Sequence, residues 1–264
     1  MIAGIGKLYR GANEVTKVYL GTKVVYNSAV PFIPTDIAGS QLWLDGADAT
    51  TISIGTGVSQ WNDKSGLGNH AAIGTGSLQP AFLLNQINGL SALSFNGSNR
   101  LENSSLALLG DVTIFSVTKS NTLTGGTVLQ LRRMLSNTFR FITRELIISS
   151  AYLVMGDLRV NNIKITAPSG IDWQVPHISK FSKSAGASPA LVYKLNDTAY
   201  SLTGSINQST SANNGYDLGA IQLNNLPYIE FYNGLFAEFI VYNSILTTDQ
   251  EAQVYTYLST KWAI

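Results

Sequence analysis

Short runs in which apolar and polar residues alternate recur along the chain, and this period of two predicts β-strands. The clearest alternating run occupies residues 112–119, and others occupy residues 89–95 and the segment Val58–Trp61. The mostly apolar runs at residues 42–44 and 234–242 are also predicted to be strands. Loops rich in Gly, Asn, Asp and Ser separate these runs, as expected where antiparallel strands reverse direction. The pattern therefore predicts an all-β fold made of many short strands.

The second half of the chain continues this pattern. Apolar runs between residues 127 and 165 predict a meander whose register the sequence leaves open. Further strands are predicted at residues 216–222 and 228–232, and Asn196-Asp197 has the composition of a two-residue hairpin turn. These segments extend the predicted β-structure almost to the C-terminus.

Near the C-terminus the spacing of apolar residues changes from two to three or four, which predicts one amphipathic helix. Thr247 or Thr248 can cap its first turn, with Gln250 or Glu251 as the reciprocal capping-box partner. We expect this helix to pack on a sheet through one face. The predicted face carries Val254, Tyr255, Leu258 and Trp262.

The N-terminal residues contain an internal repeat. Residues 8–15 and 18–25 each have the pattern of a strand, a glycine turn and another strand. A linker with two prolines near residues 30–36 then predicts a boundary between a small β-meander, residues 1–30, and a main domain, residues 36–264. The meander is either an edge element folded onto the main domain or an adaptor that docks into a larger assembly.

Composition and charge restrict the possible partners. The chain of 264 residues is long enough for one large all-β domain, and it has no Cys. Charged residues make up only 12% and the net charge is +1, so the protein has no field strong enough to recruit nucleic acid or an anionic membrane. The sequence has neither a secretory leader nor an apolar run of about 20 residues. We therefore expect a soluble protein, without membrane insertion, whose partners are neutral and polar or are other proteins.

Three blocks of the sequence carry a resemblance to a known family. They are WLDGADATTIS with VSQWNDKSGLGNHA, then GLSALSFNGSNRLE, and finally YNGLFAEFIVYNSILTTDQEAQVYTYLSTKW. In this order they resemble the concanavalin A-like, laminin-G-like jelly-roll domains of bacterial surface proteins and bacteriophage virion proteins. The resemblance covers about residues 36–264 and implies an all-β jelly-roll sandwich, preceded by the small meander and closed by the helix. Because this fold hosts lectins, glycosidases and structural modules, it does not by itself fix a function.

The N-terminal segment KLYRGANEVTKVYLGTKVVY is similar to short repeats at the start of phage tail and capsid-associated proteins. This resemblance implies a virion protein that is made in the host cytoplasm and docks to other virion proteins through the repeat. The docking residues would be Tyr9, Arg10, Tyr19 and Tyr26. Components of symmetric particles are usually oligomers, so we expect a homodimer or homotrimer.

Catalysis is one possible function of this fold, and glycoside hydrolysis needs two carboxyl groups that face each other about 5 to 10 Å apart. The clustered ExDxxE pattern of jelly-roll glucanases is absent from the sequence, and Glu238 matches a position that the family uses as a structural polar residue. We therefore predict that the protein is not an enzyme, and that no open cleft contains two of its candidate carboxylates. Those candidates are Asp45, Asp63, Glu102, Glu145, Glu230 and Glu238.

Calcium binding is a second possibility, because loop oxygens such as those of Asp45, Asp48, Asn62 and Asp63 are ligands that this ion prefers. Many relatives carry carboxylates in the block that follows Phe95, where this chain has amides and a basic residue. We therefore predict no metal and no cofactor, with Asp45 and Asp63 as the weak calcium candidates. The alternative role of both carboxylates is to cap loop amides.

Tryptophan rings can stack on sugars, so the four Trp residues are candidates for a glycan site. Trp43 and Trp262 are expected in the core, Trp61 could serve either purpose, and Trp173 in its polar segment is the best candidate for an exposed platform. His70 and His177 lack the acidic neighbours of a metal pair or a catalytic base and are expected to be structural. The glycan-binding candidates are Trp61, Asn62, Asp63, Asn96, Arg100 and Trp173.

Together these patterns predict a structural phage virion protein that displays a jelly-roll domain on the particle surface. Its expected role is attachment to a host-surface glycan or decoration of the capsid or tail. Two alternatives stay open: a glycosidase that acts on polysaccharide, and a structural spacer that binds no ligand.

Overall fold

The computed structural model describes in full residues 31–108, 110–122, 172–185, 190–200, 215–220, 222 and 227–264. For the strands within residues 8–27, 126–166 and 202–214 it describes the backbone alone. The chain divides into two compact units, residues 1–33 and residues 34–264. This division falls inside the segment where the sequence predicts a linker.

The first unit consists of short antiparallel hairpins. Strand β1 (Leu8–Arg10) pairs with β2 (Asn13–Val15), and β3 (Lys17–Leu20) pairs with β4 (Lys23–Asn27). Each hairpin corresponds to one copy of the sequence repeat. The predicted docking residues Tyr9, Arg10, Tyr19 and Tyr26 lie on these strands.

The second unit is built from antiparallel strands followed by one α-helix, α1 (Thr248–Trp262). Short 3₁₀ turns occur at Pro34–Asp36, Ala49–Thr51 and Gly76–Leu78. In chain order the strands are β5 (Ser40–Asp45), β6 (Ile52–Ile54), β7 (Val58–Trp61), β8 (Ala71–Ala72), β9 (Ala81–Ile87), β10 (Leu90–Asn96), β11 (Leu101–Leu108), β12 (Val112–Ser120), β13 (Gly126–Leu131), β14 (Phe141–Glu145), β15 (Ile147–Ile148), β16 (Ser150–Met155), β17 (Ile163–Thr166), β18 (His177–Lys183), β19 (Leu191–Leu195), β20 (Thr198–Tyr200), β21 (Leu202–Thr203), β22 (Asn213–Leu218) and β23 (Asn233–Tyr242).

These strands form two sheets. The first sheet has the order β20-β19-β18-β12-β23-β10-β9, and β5 also pairs with β23. The second sheet has the order β21-β17-β16-β14-β13-β22-β11-β8-β7-β6, and β15 pairs with β16. The chain is therefore an all-β jelly-roll sandwich with a single C-terminal helix, which confirms the fold class that the sequence predicts.

The core lies between the two sheets and is rich in aromatic rings. Phe236 on β23 lies 4.3 Å from Phe95 on β10 and 5.2 Å from Phe239, measured between ring centroids. Trp61 from the second sheet meets Phe239 edge-on at 6.3 Å and so connects the two layers. All four side chains are fully buried, and full burial of a ring of this kind stabilises the fold by about 1.5–3 kcal/mol.

Helix α1 begins as the sequence predicts. The Thr247 side chain accepts the backbone N–H of Gln250, and the Gln250 side chain accepts the N–H of Thr247, which completes a capping box. Val254, Leu258 and Trp262 are buried. The predicted amphipathic helix is thus present. No helix among the described residues is long and apolar enough to cross a membrane.

Some local predictions need correction. Residues 228–232 form a loop with one isolated bridge instead of the predicted strand, because Glu230 has a φ of 52°, which is incompatible with an extended strand. The strand predicted at residues 216–222 ends at Leu218, since Gly219 turns the chain with a φ of 80°. In contrast, Asn196 and Asp197 have φ angles of 45° and 61°, as a type I′ hairpin turn requires.

Candidate functional site

Asp63 organises the loop that the sequence singles out as a ligand site. One carboxylate oxygen accepts the backbone N–H groups of Trp43 (2.9 Å) and Ser65 (2.8 Å). The other oxygen accepts the Ser65 hydroxyl (2.7 Å) and the N–H of Asn69 (3.0 Å). Both oxygens are therefore occupied by the protein's own donors, and the residue fastens its loop to β5.

Asp45 and Asp48, whose carboxylates were also considered as possible calcium ligands, contact lysine ammonium groups. Lys64 lies 3.0 Å from Asp45 and 2.8 Å from Asp48, and Lys261 lies 2.6 Å from Asp45. The hydrogen bond from Lys64 lowers the pKa of Asp48 below its ordinary value. A divalent cation would have to displace these lysines. Within the described part of the chain, no group of three or more acidic or histidine side chains is arranged to hold a metal ion.

Glu238 lies in the middle of β23 and is completely buried. It accepts the indole N–H groups of Trp43 and Trp262 (both 2.7 Å), the hydroxyl of Tyr257 (2.8 Å) and the ammonium group of Lys261 (2.8 Å). Burial raises the pKa of Glu238, and Lys261 opposes that change. The carboxylate acts as an acceptor for four donors, a structural arrangement that closes α1 onto the sheet.

Glu238 and Asp45 are directly opposite each other on paired strands, and Lys261 bridges them. They therefore form a pair of neighbouring carboxylates, and glycoside hydrolysis would require such a pair to face a substrate across an open cleft. However, Asp45 is only 5% exposed and Glu238 is 0% exposed. The pair is enclosed beneath α1 and does not lie in an open cleft.

The two tryptophans among the glycan-binding candidates are buried. Trp173, the best candidate for an exposed platform, is 2% exposed, and Trp61, for which the sequence left both roles open, is 0% exposed. The ring of Trp173 packs edge-on against His177 at 5.1 Å, and its carbonyl oxygen accepts the N–H of Ser120, so the segment folds inward despite its polar neighbours. Neither ring offers a face on which a sugar could stack.

Both histidines have local structural contacts. His70 accepts the backbone N–H of Asp63 at 2.9 Å through Nδ1, so this nitrogen is unprotonated. His177 is buried, with Nε2 3.1 Å from the Thr118 hydroxyl and Nδ1 3.1 Å from the carbonyl oxygen of Val175. Each imidazole thus holds a neighbouring segment in place.

The structure separates the predicted glycan-binding residues into two places. Asn96 is opposite Asn233 at the start of β23, whereas Asp63 binds the backbone of Trp43, which is opposite Ile240. Seven residues of extended strand span about 23 Å. Asn62 precedes Asp63 and hydrogen-bonds to Gln60, so it lies with Asp63 and far from Asn96. Asn96 and Arg100 therefore remain together, and Trp61, Asn62 and Asp63 do not join them.

Arg100 belongs to a network that we call the Tyr228 cluster: Arg100, Glu102, Asp217 and Tyr228. The guanidinium group lies 3.8 Å from the centroid of the Tyr228 ring and 2.5 Å from a carboxylate oxygen of Glu102. The Tyr228 hydroxyl lies 3.0 Å from Glu102 and 3.1 Å from Asp217, which are opposite residues on β11 and β22. The cluster combines an aromatic ring, a cation and two carboxylates, and it lies where strand β11 begins and strand β22 ends.

The exposure of this cluster is graded. The side chains of Glu102 and Arg100 are 34% and 12% exposed, Tyr228 is half-buried, and Asp217 is fully buried. Since the two carboxylates contact the same hydroxyl, those oxygens are no more than about 6 Å apart. The sequence analysis missed Asp217 and Tyr228, because strand pairing brings Asp217 beside Glu102 and a distant loop brings Tyr228 beside Arg100.

Comparison with known proteins identifies the fold but not a family. No family model and no curated protein matches the sequence. Domain 4 of AbnA, an extracellular GH43 arabinanase from Geobacillus stearothermophilus seen in complex with arabinotriose, has a TM-score of 0.55 and 16% identity over 80% of this chain and 95% of that chain. A SAP-like pentraxin from Limulus polyphemus has a TM-score of 0.50 and 18% identity over 61% of this chain and 80% of that chain.

The binding domain of botulinum neurotoxin serotype D/C has a TM-score of 0.54 and 12% identity, over 86% of this chain and 53% of that chain. The protein is therefore similar in fold to jelly-roll β-sandwich domains from several kinds of protein. At these identities the similarity concerns the fold alone. The bacteriophage origin implied by the sequence resemblance stays a prediction.

Proposed function

We propose that the protein is a non-catalytic binding domain for glycans, with its ligand on the loops around the Tyr228 cluster. The observation that carries this proposal is the half-buried stack of Arg100 on Tyr228 beside Glu102. Sugar sites combine an aromatic surface with a few oriented polar groups, and this cluster has both. Asn96, four residues before Arg100, adds an exposed amide.

The fold neighbours support the same class of function. The arabinanase domain was seen with arabinotriose, and the neurotoxin neighbours are binding domains. One of the neurotoxin binding domains was seen in complex with SialylT. These are properties of those proteins, and they make glycan binding the first function to test for this one.

The competing function is glycoside hydrolysis, because Glu102 and Asp217 are close enough to each other to form a pair of carboxylates. Two features make binding the better proposal. Asp217 is fully buried, and the Tyr228 hydroxyl occupies the space between the two carboxylates. The pair has no room for the scissile bond that must lie between a catalytic acid and a nucleophile.

We further propose that the domain is displayed on a phage particle, for attachment to the host surface or as a decoration. In this proposal residues 1–30 dock to other virion proteins through Tyr9, Arg10, Tyr19 and Tyr26, and the assembled protein is a homo-oligomer. The support comes from the N-terminal sequence repeat and from the separate compact unit at residues 1–33.

The binding proposal is tested with the full-length protein on an array of immobilised glycans. We expect a defined set of glycans to bind, and Tyr228→Ala to weaken that binding by about tenfold or more. Tyr228→Phe keeps the ring and should retain most of the affinity if stacking is the main contact. Tyr255→Ala, at a half-buried tyrosine on α1, is the matched control.

If no glycan binds, the protein is better explained as a structural spacer. Release of reducing ends from a bound polysaccharide, abolished by Glu102→Gln, would instead establish the hydrolase. For the display proposal, deletion of residues 1–26 should leave a folded sandwich that no longer enters particles. Loss of folding in that variant would contradict an adaptor role.

A further inference from the structure

Four neighbouring strands of the first sheet carry an amide side chain at the same end. Asn96 is the last residue of β10, and Asn233, the first residue of β23, is opposite it. Asn121 follows β12, and Gln174 precedes β18. We call these four residues the amide row. The strands occur side by side in the order β18-β12-β23-β10, so the row crosses the sheet.

Hydrogen bonds connect three of the four members of the amide row, and the fourth, Asn96, is the strand partner of Asn233. The Asn121 side chain donates to the side-chain oxygen of Asn233 at 3.2 Å, and its backbone N–H donates to the Asn233 carbonyl oxygen at 2.9 Å. The Gln174 side chain donates to the carbonyl oxygen of Asn121 at 3.3 Å. Strands lie about 4.8 Å apart, so the four positions span about 14 Å, the scale of a short oligosaccharide.

The surface of the row is open and its base is fixed. Asn96, Asn121 and Gln174 are exposed, and Asn233 is half-buried. Beneath them, Trp173 is buried and accepts the N–H of Ser120. A surface that is already ordered loses less conformational entropy when it binds a ligand.

The chemistry of the row suits an uncharged partner. Each primary amide offers two N–H donors and one carbonyl acceptor, which matches hydroxyl groups that both donate and accept. No member of the row carries a charge. The Tyr228 cluster, which begins four residues after Asn96, has two carboxylates against one guanidinium and so adds no net positive charge that would attract an anion.

We infer that the amide row is a contact surface for a neutral, hydroxyl-rich oligosaccharide, and that it discriminates against anionic glycans. This inference rests on the proposed glycan-binding function and extends it to a class of ligand. The sequence analysis had placed only Asn96 in a binding site, and the other three residues come from the structure alone.

The test uses the full-length protein and an array that carries neutral oligosaccharides beside sialylated, sulfated and uronic-acid glycans. We expect binding to neutral glycans that changes little with salt, because no ion pair is involved. The triple variant Asn96→Ala, Asn121→Ala, Gln174→Ala should bind about tenfold more weakly or worse, since it loses several hydrogen bonds. Gln253→Ala removes an exposed amide from α1 and serves as the control that should bind normally.

The outcomes separate this inference from the function on which it rests. The amide row is supported if binding to neutral glycans weakens in the triple variant but not in the control, and if the triple variant keeps the thermal stability of the wild type. Binding that is unchanged in the triple variant, or a preference for anionic glycans, overturns the amide row and leaves glycan binding in place. If no glycan of either class binds, both the inference and the proposed function are wrong.

Discussion

The ammonium group of Lys261 lies 2.8 Å from a carboxylate oxygen of Glu238, and this contact joins the C-terminal helix to the middle of β23. Lys261 is 17% exposed at its side chain, whereas Glu238 is completely buried. Because the indole groups of Trp43 and Trp262 donate to the same carboxylate, one acidic residue connects β5, β23 and α1. The buried charge on β23 is compensated by donors from β5 and α1.

Glu238→Gln should destabilise the protein by about 2–4 kcal/mol, since breaking a buried ion pair leaves charges and donors without their partner. The amide nitrogen of Gln is itself a donor, so it could not accept the hydrogen bonds that one of the carboxylate oxygens now accepts. Equilibrium unfolding in urea measures the loss. Asp249→Asn, at an exposed position in the first turn of α1, is the control and should cost only a few tenths of a kcal/mol.

The two variants must differ for this account to hold. A Glu238→Gln protein as stable as the Asp249→Asn control would mean that the four hydrogen bonds to Glu238 contribute no net stability. In that case, apolar packing of Val254 and Leu258 would be enough to hold α1 on the sheet.

Much of the fold follows from local patterns. The alternation at residues 112–119 and the apolar run at residues 234–242 predict two strands that the structure places next to each other, and the Thr247 and Gln250 signals predict the start of α1. These features depend on neighbours within a few residues. Strand β9 (Ala81–Ile87) was not predicted, because its residues are mostly exposed and lack the alternation of a half-buried strand.

Asp63→Asn should destabilise the protein by about 1–3 kcal/mol, because an amide cannot accept at both of the positions that now receive backbone N–H groups. Millimolar calcium should leave the melting temperature of the wild-type protein unchanged, since a ligand stabilises a protein only if it binds the folded state. Differential scanning calorimetry with calcium and with a chelator makes both measurements. A calcium-dependent rise that Asp63→Asn abolishes would restore the metal-site hypothesis.

Trp173→Ala should cost about 3–5 kcal/mol, as expected for truncation of a fully buried aromatic side chain. Wild-type tryptophan fluorescence should resist quenching by iodide, because Trp43, Trp61, Trp173 and Trp262 are each no more than 6% exposed. Strong quenching in the native state would place at least one ring on the surface and would restore the hypothesis of an exposed tryptophan platform.

The candidate site was less predictable than the fold, and the reason is physical. Asp217 and Glu102 are far apart in sequence and meet only through the pairing of β22 with β11. Tyr228 reaches them from a loop. The sequence analysis predicted a strand at this place, and that prediction gave no reason to expect the contact. Asn96 and Arg100 could be selected because turn residues mark them locally. Their partners could not, because long-range pairing has no signal in a single sequence.

Acidification should weaken the contact between Asp48 and Lys64, which is 2.8 Å long. The hydrogen bond from Lys64 lowers the pKa of Asp48 below its ordinary value of 3.8, so the folded state holds this proton less tightly than the unfolded state does. The contribution to stability is therefore fully present above about pH 4 and is lost as the pH falls through the lowered pKa. A double-mutant cycle with Asp48→Asn and Lys64→Met isolates the pair. We expect a coupling energy of a few tenths of a kcal/mol at pH 7, because both side chains are partly exposed, and none at the lowest pH where the fold persists. A coupling energy that is independent of pH would show that the two side chains interact through packing and not through charge.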